Sequence, residues 1–246
     1  MALTSRGGIQ RGDRGVGDIT IDAGGSDVSM SGILFNPNNG DRIVIQNADD
    51  VAVGRMDVGS STGTIELGTT ANPITGNVTR NSDNLQAHEL IGVVQGSLDF
   101  SNILHDVFTI GDFAADGGFD LQNNQDLAIT GTLASLNGDI RINHSGLDDT
   151  ITLKTSGVIR ADTDSSATGG KITLLTNTSN SNPEGVVTEA GSSIESGTGG
   201  VEIAAGGAIN HQGTINTTGG VTLRAPRTET TSSGITLAGN VTAGNG

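Results

Sequence analysis

One pattern recurs along this chain and limits what it can become: an apolar–polar–apolar triplet flanked by Gly, Asp or Asn. It reads Ile19-Thr20-Ile21, Ile43-Val44-Ile45 (with an apolar centre), Ile65-Glu66-Leu67 and Phe108-Thr109-Ile110. It continues as Leu127-Ala128-Ile129, Ile140-Arg141-Ile142, Ile151-Thr152-Leu153 and Ile172-Thr173-Leu174. Val201-Glu202-Ile203, Val221-Thr222-Leu223 and Ile235-Thr236-Leu237 complete the set. Alternation with period two in β-branched residues specifies short strands that bury one face. Gly, Asn and Asp between them specify turns, because they reach left-handed backbone angles at low cost. The one stretch with any helical character, residues 84–94, carries Gly92 and β-branched neighbours and reads better as strand.

Successive triplets begin 24, 22, 43, 19, 13, 11, 21, 29, 20 and 14 residues apart. Most steps lie near 20 to 24, 43 is about two of them, and 13 with 11 makes one. A sandwich or meander would place strands every 8 to 12 residues or so, without a longer period. A period of about 20 to 30 residues, with strands and no helices, points to a solenoid. The fold expected is therefore all-β: a right-handed parallel β-helix forming one domain over residues 1–246. At about 22 residues per coil it would have about eleven coils and a length on the order of 50 Å. Residues 79–100 lack the clean triplet and are expected to form a degenerate coil or loop within the same domain.

Composition agrees. The 246 residues include 39 Gly, five Phe and no Cys, Trp or Tyr. A globule of this size would normally bury many large rings. A solenoid buries a column of stacked aliphatic side chains, and rings are expected to fit it poorly. The polar, acidic composition also raises disorder, but regular patterning of the apolar residues argues against it. The formal charge of −15 disfavours nucleic acid and anionic membranes as partners. No apolar run approaches the length of a membrane-spanning helix, so no membrane insertion is expected. The absence of Cys excludes disulfides, thiolate metal sites and Cys nucleophiles.

The segments "GDITIDAGG", "QDLAITGTL", "GGVEIAAGGAINHQGTINTTGGVTLRA" and "SSGITLAGNVTAGNG" resemble the repetitive bodies of filamentous-haemagglutinin-like bacterial exoproteins. These adhesins are often exported by two-partner secretion, and related passengers occur in autotransporters. The resemblance is one of style, best from residue 101 onward. It implies a β-helical shaft, export to the cell surface and a role in adhesion or contact. The signal peptide and N-terminal export domain of that group have no counterpart here. "FNPNNGDR" offers only an Asn-Pro-Asn turn.

Candidate sites are few. Arg11-Gly12-Asp13 is a weak candidate binding motif of the kind that engages integrins from a loop, and it also arises readily in a Gly- and Asp-rich chain. Asp49-Asp50, Asp148-Asp149 and the pair Asp162, Asp164 are acidic clusters. Grouped carboxylates can hold Ca²⁺ or perform acid–base chemistry on polysaccharides. Without Trp or Tyr to grip a sugar, they read first as turns and solvated edges. His88, His105, His144 and His211 have no metal-ligand spacing. Ser residues lack a nucleophile elbow with partners. Asn-X-Ser/Thr occurs at Asn77, Asn143, Asn177, Asn216 and Asn240, all in turn-like surroundings.

The expectation is a non-catalytic shaft segment of a secreted or surface-attached adhesin, without cofactor or metal and part of a longer chain. Its partner would be a receptor or glycan on a host or neighbouring cell, with end-to-end self-association as a further property. The alternatives are a polysaccharide-processing β-helix enzyme and a fibre-forming module that stacks end to end.

Overall fold

The computed structural model describes residues 3–5, 9–10, 17–36, 40–80, 83–145, 150–162, 169–177, 184–225 and 234–244. Every strand pairing among them is parallel, and the strands join in one continuous sheet. No described residue is helical, including 84–94, where Leu85–Val94 is a strand. The chain is a three-sided parallel β-solenoid.

One coil shows the plan. Ile140–His144 lies on the first face, Ile151–Leu153 on the second and Val158–Ala161 on the third. The next coil repeats this with Ile172–Thr176, Glu184–Thr188 and Ser193–Ser196. The triplets at Ile140 and Ile151 are thus two faces of one turn, as their spacing predicts. Upstream, Ser97–Ala115 is a single bent strand that supplies all three faces.

The inward residues stack. Val28, Val51, Val78, Leu98, Phe119, Ile140, Ile172, Val201 and Val221 are paired in turn on the first face. Eight turns separate Val28 from Val221, fewer than a uniform 22-residue coil gives. The coils are uneven: Ile140 to Ile172 takes 32 residues, because the turns there are long. At about 4.8 Å per coil, these eight turns span roughly 38 Å.

Ile140, Ile142, Ile151 and Leu153 are buried, while Arg141 is exposed and Thr152 half-buried on the outside. The expectation that rings fit poorly needs correcting. Phe100, Phe113 and Phe119 are among the largest fully buried side chains. Phe113 and Phe119 meet edge to face, with centroids 5.3 Å apart. Gly92 is paired with Phe113, and a Cβ there would stand 3.0 Å from the ring and 2.3 Å from the Leu67 carbonyl oxygen. The column admits rings where a neighbouring coil gives up a side chain.

The described residues of the weakest stretch of the sequence form strands. Val78–Arg80 and Leu85–Val94 pair with the coils on both sides. The outward excursion lies just beyond, where register shifts between Phe100 and His105 and exposes Ile103 and Leu104.

Candidate functional site

The acidic residues have a structural pattern that the sequence displayed without explanation. Asp often stands directly before the first inward residue of a strand. At the start of a coil, Ile140 donates its N–H to the carbonyl of Lys171 one coil on (2.9 Å), and Lys171 donates its own N–H back to Asp139 Oδ1 (2.8 Å). The carboxylate replaces a backbone carbonyl that the turn has carried away. Leu127 and Thr150 repeat this, with Thr150 N–H donating to Asp126 Oδ1 at 2.7 Å.

Equivalent bonds run from Arg42 N–H to Asp18 (3.1 Å) and from Thr132 N–H to Asp112 (2.8 Å). A continuous chain of them links Asp27, Asp50, Asn77 and Ser97 on four successive coils, at 3.4, 2.7 and 3.0 Å. Asp50 therefore caps a backbone N–H, and Asp49 accepts from the Thr75 hydroxyl (3.2 Å). Asn77, one of the glycosylation-type asparagines, has its carbonyl oxygen bound by Ser97 N–H and Oγ.

The cations also bridge coils. Arg42 pairs with Glu66, Lys154 with Glu189 (2.8 Å), Arg160 with Glu195 (2.7 Å) and Lys171 with Glu202 (2.6 Å), each carboxylate lying one coil on. Lys154 and Lys171, by hydrogen bonding, hold Glu189 and Glu202 below the usual carboxylate range. Exposed pairs of this kind contribute little to stability, because solvent screens them and two long side chains must be held in place. Their larger consequence is that these cations are already paired.

The histidines do not converge. His88 is exposed and stacks on Phe108 at 6.4 Å. His105, Asn123, His144 and Thr176 form an inward polar column on successive coils. Leu85 N–H donates to His105 Nδ1 (3.0 Å), and Arg80 Nη1 lies 3.3 Å from Nε2. Burial, with the Arg80 charge beside it, lowers the His105 pKa to about 3. Asn123 fills its polar capacity by accepting from Val107 N–H and donating to the carbonyls of Val107 and Gln125. His211 is buried elsewhere, 2.6 Å from the Thr188 hydroxyl. The contacts of His105, Asn123 and His211 run to neighbouring backbone and side chains. Among the described residues, no group of three His, Asp or Glu side chains could hold a metal ion.

An acidic groove lies on the first face and has a volume of about 550 Å³. Asp99, Asp120 and Arg141 point into it from three successive coils, and Gly117, Gly118 and Gly138 form part of its wall. Arg141 Nη1 is 3.9 Å from Asp120 Oδ2, while Asp120 Oδ1 is buried without a hydrogen-bond partner. Burial raises the Asp120 pKa, Arg141 opposes this and Asp99 adds to it. Asp99 accepts from the Ser101 N–H and hydroxyl. A carboxyl whose pKa is raised beside a second carboxylate is an element that acid–base chemistry can use. Sequence reading missed this pair because its members are 21 residues apart and meet only through coil stacking.

Of the motifs singled out in the sequence, Arg11, Gly12, Asp13, Asp148, Asp149 and Asp164 lie outside the described residues. Asp162 is buried at a corner after Val158–Ala161. Comparison with protein-family models, curated proteins and solved structures found no match. The class defined by the fold is the parallel β-solenoid, and the haemagglutinin-like resemblance rests on the quoted segments alone.

Proposed function

We propose that this chain is a structural shaft: a non-catalytic segment of a secreted or surface-attached bacterial adhesin. The observation that carries the reading is the unbroken axial bonding. Backbone ladders join each described coil to the next, carboxylate brackets and ion pairs reinforce several of the junctions, and the outward surface is left predominantly anionic. Such a rod sets distance and resists bending, while recognition falls to its flank or its loops. The haemagglutinin-like segments support export and the adhesive setting.

The Asp99–Asp120 groove favours a second reading, a polysaccharide-processing β-helix. One experiment separates the two. The chain is incubated with acidic polysaccharides, with and without Ca²⁺, and assayed for new reducing ends and unsaturated products. The shaft reading expects no product. Turnover that disappears in Asp120→Asn, with the circular dichroism spectrum retained, would replace it with the enzyme.

A further inference from the structure

A second groove, of about 520 Å³, runs along the rod where the second and third faces meet. Its floor is apolar in an unusual way. Val93, Ala114 and Ala134 occupy equivalent outward positions on three successive coils. The same column continues with Arg160, Glu195 and Asn216, the polar residues expected on an outer surface. Ile91 widens the floor. Gly111 keeps the groove open: a Cβ there would meet Ile91 Cγ2 at 2.7 Å and Glu89 Oε1 at 2.9 Å.

One side of this floor is acidic. Glu66, Glu89 and Asp112 line it from successive coils. Glu66 is paired with Arg42, whereas among the described residues the Glu89 carboxylate accepts one 3.4 Å contact, from the Thr64 hydroxyl. Asp112 uses Oδ1 to bracket Thr132 N–H, and its side chain is exposed. No described ion pair neutralises Glu89 or Asp112. The Thr69–Thr70 turn bounds one end and Arg160 follows the floor at the other. Three coils extend about 10–14 Å, the reach of three or four extended residues.

We infer that this groove docks a short, extended, cationic segment of a partner protein, with small apolar side chains on the Val93–Ala114–Ala134 floor and Lys or Arg against Glu89 and Asp112. Charge complementarity selects the partner, since a groove of this sign repels an acidic peptide. The floor selects a peptide over a glycan, because it presents methyl groups and the chain has no Trp or Tyr on which a sugar would stack.

The test uses a labelled octapeptide of alternating Lys and Val, with alternating Glu and Val as its control, titrated by fluorescence anisotropy at low salt. Only the Lys peptide should bind. Glu89→Gln combined with Asp112→Asn should weaken it about tenfold or more, as expected for losing two charge contacts. The Asn retains the acceptor for Thr132, and circular dichroism checks the fold; Glu89→Gln alone serves if the pair misfolds. Ala134→Gln should weaken binding by filling the floor. Asp99→Asn with Asp139→Asn, in the other groove, should leave it unchanged. Absence of binding, an equal loss in the distant pair, or indifference to Ala134→Gln would overturn the inference, the last two by revealing only diffuse attraction to a polyanion.

Discussion

Arg141 and Ile151 stand on adjoining faces of one coil and tolerate charge very differently. Ile151→Asp places an unpaired carboxylate among fully buried side chains and should cost several kcal/mol, about 3–5. Arg141→Asp loses one 3.9 Å contact with Asp120 at an exposed position and should shift stability by roughly 0.5 kcal/mol or less. Urea midpoints of the two variants check this, and equal shifts would mean that the strand register is wrong. His105 ties stability to pH. Its folded pKa, about 3, lies below the ordinary value of 6.5, so the unfolded chain takes up the proton first. Stability from this residue is complete above about pH 6.5 and is lost as pH falls toward 3, by an amount on the order of 4 kcal/mol. Arg80, itself influenced by Asp83, is the charge in contact with the ring. Urea midpoints followed from pH 7 to pH 4 should fall, and His105→Gln should flatten that slope.

Among the secondary-structure elements and their turns, glycines fall into two kinds that the sequence does not distinguish. Gly92→Ala should cost about 1–3 kcal/mol, because the new methyl meets the Leu67 carbonyl and the Phe113 ring. Gly220→Ala has open space and should be nearly neutral. Thermal melting of the two variants gives the comparison. This difference marks the limit of what was legible. Period-two triplets revealed the strands and their inward residues, because burial imposes alternation locally. The spacing of Ile140 and Ile151 even revealed two faces of one turn. Coil number was misjudged because turn length varies freely without disturbing the ladder. The Asp99–Asp120 pair and the Val93–Ala114–Ala134 floor were hidden, since each depends on register between coils. The Asp that precedes a triplet was visible, but its acceptor role needed the neighbouring coil.

At the scale of the whole molecule, the two grooves use one stretch of rod, whereas the last described coil has a different character. Ile235, Leu237 and Val241 are 44%, 53% and 40% exposed, and their strands have a described neighbour on one side only. Open strand edges beside exposed apolar side chains favour association with another chain. Residues 1–246 expressed alone should therefore self-associate with rising concentration, and Leu237→Lys with Val241→Glu should keep them monomeric. Light scattering decides it; a wild type that stays monomeric would remove the case for end-to-end stacking. The carboxylate brackets carry a last consequence. At the position directly before an inward strand residue, six carboxylates and the Asn77 amide oxygen point the same way, from an earlier coil toward the N–H of a later one, whereas Asp41 and Glu189, placed elsewhere, accept from the coil before. A finished coil thus presents acceptors that await the next, like a mould ready before the casting. A chain that emerges N-terminus first through a narrow exit can add coils in the order they appear, each closing on a surface already prepared for it.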